Sequence, residues 1–232
     1  MSSLHVSPPC FRLRLLGGIG LLPTVLICLL AGCSLPGTKP ALAKQAYLLQ
    51  GDGTHGVPAA GKAKPCLSLR VSTPASAPGF GTTRMAYVVE SPRLDYFAYH
   101  EWADTPAKMT AAIIGGRLDA SGLFGAVLTG SADVRTDLRL DSELIRLRQM
   151  IDGASSAVEL VIKVGLIDVS SRSLLAAKTF SYTEAAAGAN PPAGVAAANR
   201  AADRFLTDLI NFVADSIAAI DCPQGSIGPS GE

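Results

Sequence analysis

The sequence predicts an α+β domain, a mixed and mostly antiparallel sheet with two main helices packed chiefly on one face, following a cleaved leader. Three observations predict it. Residues 138–149, 158–167 and 174–183 alternate apolar and polar side chains for most of their length, the period of a half-buried strand. Residues 192–220 place Val195, Ala198, Ala202, Leu206, Leu209, Val213, Ile217 and Ile220 at helical spacing, with Arg200, Asp203, Arg204, Asp208 and Asp215 mainly elsewhere. Asp104 or Thr105 followed by Pro106 is a helix start, because the fixed φ of proline suits a first turn whose N–H groups lack partners. Strands, a helix, strands and a helix make an α+β pattern rather than an alternating one.

The leader comes first. Arg12 and Arg14 precede an apolar run over 15–30, and no acidic residue occurs before Asp52. That run is shorter than the roughly 18 to 20 residues of a membrane span and contains Gly17, Gly18, Gly20 and Pro23. A basic start, a short apolar stretch and small residues at its exit describe a secretory signal. Leu30-Ala31-Gly32-Cys33 resembles the bacterial lipobox, in which the cysteine thiol is acylated and the chain is cut just before it. The resemblance implies lipidation at Cys33 and a signal peptide over 1–32, with an ordinary signal peptide as the alternative. Ser34 follows, rather than Asp, which on lipobox rules implies sorting to the outer membrane, facing the periplasm.

Three acyl chains at Cys33 would hold the protein without help, since each buried methylene adds about 0.8 kcal/mol. No basic patch is visible. The chain beyond the leader has 18 Lys and Arg against 19 Asp and Glu, a balance that argues against nucleic acid and against steering by anionic lipid. Residues 33–45, with Pro36, Gly37 and Pro40, read as a lipidated tether. The domain spans 46–222, and 223–232 reads as a flexible tail.

Of five cysteines, Cys10 and Cys28 leave with the leader and Cys33 carries lipid. Cys66 and Cys222 remain, in an oxidising compartment, as candidates for a disulfide or for two free buried thiols. With so few histidines no zinc set can be assembled from them.

Along the domain, Tyr47-Leu48-Leu49 reads as a short strand, and 51–64 as a loop rich in Gly, Ala and Lys. That loop contains a literal G-x-G-x-x-G over 51–56. Val57-Pro58, Gly61 and Pro65 follow instead of a helix, and no ribose-binding acid lies in the expected place, so the match is accidental. Residues 66–72 and 85–90 are strands, Ser91-Pro92-Arg93 a hairpin turn, and 94–101 an aromatic-rich strand. The helix from Pro106 runs to about Leu118, 124–128 is a short strand, and 168–173 (DVSSRS) turns between two of the long strands.

The stretch LDYFAYHEWADTP over 94–106 concentrates the chain's chemically capable side chains, including its single Trp. It does not compose an active site. His100 and Glu101 are adjacent, so on a strand they face opposite sides. Asp104 is better used as a helix cap. No second His completes H-E-x-x-H, and no G-x-S-x-G supplies a serine nucleophile. Period two sets Tyr96, Ala98 and His100 on one face and Phe97, Tyr99 and Glu101 on the other. Phe97, Tyr99 and Trp102 are the candidates for a partner surface. The alternative is that both faces are packing. No catalytic residue, cofactor or metal is expected.

Taken together, Cys33, the early Tyr47-Leu48-Leu49, the run from Arg84 through Tyr87, Leu94, Tyr96, Tyr99, Trp102, Pro106 and Met109, the paired strands around 158–180, and Ala198-Asn199-Arg200-Ala201 opening the last helix resemble the ABC-type transport auxiliary lipoproteins. The resemblance covers nearly all of the chain beyond the leader and brings no catalytic residues. It implies an accessory role beside an MCE-domain periplasmic subunit and, through it, an ABC transporter or other inner-membrane component, moving lipids or hydrophobic compounds across a Gram-negative envelope. A homo-oligomer is compatible with it. An envelope hydrolase and a structural lipoprotein without a transport role are the alternatives. The family lends no support to the Gly-rich insertion at 51–64 or to the Cys66 and Cys222 pair.

Overall fold

The computed structural model describes residues 43–51, 63–130 and 134–222. The leader, Cys33, most of the tether, the G-x-G-x-x-G segment after Gly51 and the tail lie outside the described residues.

The fold is organised by one long strand. In chain order the strands are β1 (Gln45–Tyr47), β2 (Lys64–Val71), β3 (Ala75–Ser76), β4 (Arg84–Val88), β5 (Asp95–Trp102), β6 (Phe124–Thr129), β7 (Leu138–Asp152), β8 (Ser155–Asp168) and β9 (Ser173–Ala186). The helices are α1 (Pro106–Ala120) and α2 (Pro191–Ile217). One edge of β7 pairs antiparallel with β8 from Leu138↔Asp168 to Asp152↔Ser155, and β8 pairs antiparallel with β9. The other edge of β7 is shared in series by three short parallel strands: β2 beside Leu138 to Leu140, β3 beside Glu143 and Leu144, and β4 beside Arg148 to Met150. β6 extends the sheet from β2, and β5 then β1 extend it from β4, so the sheet forks along its spine.

A single α+β domain is what the sequence predicts, and the two long ladders are antiparallel. The short strands join in parallel more often than expected, because each returns to the same edge of β7 after a crossover rather than a tight hairpin. β3 was not anticipated, and the first strand ends at Tyr47, with Leu49 buried just beyond it.

Burial follows the predicted periods. Val158, Leu160, Ile162, Val164 and Leu166 of β8 are all in the core, as are Leu138, Leu140 and Leu144 of β7. After Leu144 the phase changes, because Ile145 is an extra residue opposite the Ile162–Val161 step. Such a bulge exchanges the faces of everything after it, and the buried side chains become Leu147 and Gln149.

α2 begins at Asn190, whose side chain accepts from the Ala193 N–H at 3.0 Å, with Pro191 next. Its apolar stripe, from Ala198 through Leu209 to Ile217, lies in the same core cluster as the β8 face. Phe180 of β9 meets Phe205 and Phe212 edge-on, with centroids 5.4 and 5.9 Å apart. Tyr182 donates to Asp208 at 2.6 Å, and burial together with that acceptor raises its pKa. Gln149, buried among apolar side chains, donates to Ser156 and to the carbonyls of Gly188 and Asn190, pinning the start of α2 to β7. A Cβ at Gly194 would run into that amide, so close packing requires glycine there. α1 starts at Pro106, but neither Asp104 nor Thr105 caps it with a side chain. Asp104 accepts instead from the Thr105 N–H at 2.6 Å and pairs with Lys108 at 3.4 Å.

Asp137 ties β2 to the start of β7. Its carboxylate accepts from the Ser68 hydroxyl at 2.6 Å and the Ser68 N–H at 2.8 Å, and these two bonds lower its pKa. A carboxylate held below its unfolded value stabilises the fold fully above that value, near pH 4, and loses the contribution as pH falls through the lower folded value. Asp137→Asn is therefore expected to narrow its melting-temperature deficit against the native chain as the buffer is taken from pH 7 to pH 3. A deficit that does not change over that range would contradict this.

Candidate functional site

The aromatic segment is built on β5 and its neighbours. β4 and β5 pair at Arg84↔Glu101 and again at Ala86↔Tyr96, so residues 97–100 stand opposite Met85 alone and the pairing with β4 is irregular, while His100 keeps its register with Gln45 of β1. Strict alternation fails there. Phe97 and His100, expected on opposite faces, meet edge to face with centroids 6.3 Å apart. Phe97 also packs on Tyr87 at 4.5 Å, and His100 stacks on Tyr47 at 5.8 Å, its Nδ1 3.1 Å from the Tyr47 hydroxyl. Tyr96 donates to the Gly79 carbonyl at 2.9 Å under the guanidinium of Arg84.

The titratable residues of the segment are separated from one another. His100 is taken up by Tyr47 and Phe97, Glu101 by Lys44 at 2.9 Å, and Asp104 by the backbone of Thr105 and by Lys108. Among the described residues no group of three His, Cys, Asp or Glu side chains could hold a metal ion.

The three candidates for a partner surface divide. Trp102 is only 4% exposed and belongs to the core, a correction with a simple cause: it ends β5 beside Tyr47, where the sheet lies under the helices. Phe97 is half-buried against the core. Tyr99 is 50% exposed and alone of the three is open to a partner.

Cys66 and Cys222 are brought together as a bonded pair with their Cα atoms 5.7 Å apart, joining the start of β2 to the chain just past α2. Two arginine environments escaped the sequence reading. Arg117 of α1 is buried, 3.3 Å from Asp203 of α2, beside a cavity of about 280 Å³. At the N-terminal end of β7, Arg70, Arg135 and Arg139 line another cavity, of about 330 Å³, together with Val134, Thr136 and Val169. Neither is marked by a local motif, since each assembles residues distant in sequence. Among the described residues no helix is long and apolar enough to cross a membrane.

An open, forked sheet backed by two helices defines an α+β domain. Comparison with known proteins gives the family. The model for the ABC-type transport auxiliary lipoprotein component matches residues 47–209, and the chain belongs to that family. Its family is that of a transport auxiliary component. The fold is similar to the crystal structure of a Xanthomonas campestris protein of the DUF330 family, with TM-score 0.63 and 18% identity over 75% of this chain and 94% of that one. A second crystal structure, of an uncharacterized protein, is similar with TM-score 0.58 and 13% identity over 74% of this chain and 99% of that one. No match is found among curated proteins.

Proposed function

We propose that this protein is an outer-membrane lipoprotein facing the periplasm, anchored through Cys33, and an accessory to an MCE-type system that moves lipids or hydrophobic compounds between the envelope membranes. The family match over 47–209 carries this reading, since the family is a transport auxiliary lipoprotein. The lipobox resemblance of Leu30-Ala31-Gly32-Cys33 supports the anchor, and Ser34 supports outer-membrane sorting. The approach of Cys66 and Cys222 supports an oxidised pair, which an exported domain can keep.

Cys33→Ala is expected to abolish incorporation of a fatty-acid analogue and to leave an unprocessed precursor, because both steps need the thiol. Equal label on the native chain and the variant would remove the lipoprotein assignment. Docking is assigned to the face carrying Tyr99. Tyr99→Ala is expected to weaken capture of the MCE-domain subunit from membranes while changing stability by about 0.5 kcal/mol or less, as exposed substitutions do. Undiminished capture would move the docking face elsewhere.

A further inference from the structure

We propose that the cavity lined by Arg70, Arg135 and Arg139 is a binding site for a phosphate group, free or carried as a monoester. The cavity measures about 330 Å³, enough for a phosphate and its first substituents. Three guanidinium groups in one cavity stand out in a chain whose charges otherwise nearly balance.

Arg70 of β2 and Arg139 of β7 are register partners on adjacent parallel strands, which sets two cationic side chains side by side. Arg70 gives Nη2 to the carbonyl of Val134, while its Nε is buried without a partner. A buried N–H of a charged group left without an acceptor is costly, and a bound anion oxygen would supply one. Arg135 is exposed at the rim.

Of the nearby carboxylates, Asp141 pairs with Arg139 of the cluster itself, leaving Arg70 and Arg135 as its cations without a carboxylate partner among the described residues. Asp141 is held by Arg139, Nε to Oδ1 at 2.9 Å and Nη2 to Oδ2 at 2.9 Å, and by Ser72 at 2.8 Å. Asp137 is held by Ser68, and Asp168 by Ser170 and Ser171 in the turn that follows β8. None of the three carboxylates lines the cavity.

Planar guanidinium groups bind oxyanions in pairs of hydrogen bonds, which favours an oxyanion over a halide, and the several oxygens and higher charge of a phosphate suit donors arriving from more than one arginine. Val134, 53% exposed at the same rim, sets an apolar tip beside the cations. The group can therefore come from a lipid headgroup or from a free phosphate. The site stands on the cluster itself and does not depend on the transport reading.

The test titrates the full-length chain, purified in a maltoside detergent, with inorganic phosphate and with water-soluble dihexanoyl phosphatidic acid, followed calorimetrically. Saturable binding of either is expected, weakened about tenfold or more by Arg135→Ala, which alters an exposed side chain and leaves the fold intact. Arg93→Ala, in the β4–β5 turn, is expected to bind as the native chain does. Phosphatidic acid binding at least tenfold tighter than phosphate would assign the site to a lipid headgroup, and equal affinities would assign it to a free phosphate. No saturable binding of either probe, or binding unchanged in Arg135→Ala, would overturn the proposal.

Discussion

Trp102→Ala is expected to destabilise the domain by about 3 to 5 kcal/mol, as large-to-small aromatic truncations in cores do. Trp102 is 4% exposed, and its backbone N–H donates to the Thr83 carbonyl at 2.7 Å while its neighbour Ala103 donates to Tyr47 at 2.7 Å. The side chain therefore fills the junction where β1, β4 and β5 meet the core, beside Met85, Leu147, Val158 and Ala198. No other tryptophan exists in the chain, so its fluorescence also reports the transition. Against a total stability of about 5 to 15 kcal/mol, such a loss leaves the fold marginal. A loss below about 1 kcal/mol in urea titration would mean that Trp102 is not a core residue, and the aromatic segment would again be open as an interface.

The second large effect belongs to the cysteines. Cys66 and Cys222 enclose a loop of 156 residues in sequence separation. In the chain-entropy account a cross-link over so long a loop removes about 4 to 5 kcal/mol of unfolded-state freedom, with strain and residual structure reducing the yield. The double variant Cys66→Ser, Cys222→Ser removes the link without leaving a lone thiol. It is expected to unfold at markedly lower urea and to be indifferent to reductant, whereas the native chain loses stability when reduced. A native chain whose unfolding curve does not move on reduction, or which reacts with two equivalents of alkylating reagent before reduction, would show that the thiols are free.

The long elements were legible because their burial is periodic. β8 keeps Val158, Leu160, Ile162, Val164 and Leu166 in phase, with no irregularity in its pairing to β9 before Leu166, and α2 repeats its apolar stripe over seven turns at ordinary helical pitch. What could not be read is set by pairing between distant strands or is too short to carry a period. β3 is two residues long, below any period. The parallel returns of β2, β3 and β4 to one edge of β7 leave no mark on local sequence, because register is set by distant partners. The bulge at Ile145 was hidden for the same reason.

The candidate surface was legible in composition and misread in direction. Alternation would separate Phe97 from His100, and the irregular pairing of β5 with β4 brings them together. Trp102 has the chemistry of an interface anchor, yet its place at the strand's buried end decides its role. The arginine cavity was invisible because Arg70 and Arg139 become neighbours only when β2 lies against β7.

A lipoprotein that serves a transport system as its accessory component must be held beside that system in the membrane. Purification of the native lipoprotein from cross-linked membranes, followed by mass spectrometry, tests this role most directly. An MCE-domain subunit is expected to co-purify, in reduced amount from a Tyr99→Ala strain with the lipoprotein at normal abundance. Recovery of a correctly anchored, fully folded lipoprotein with no MCE-domain subunit or other transport component would contradict that role.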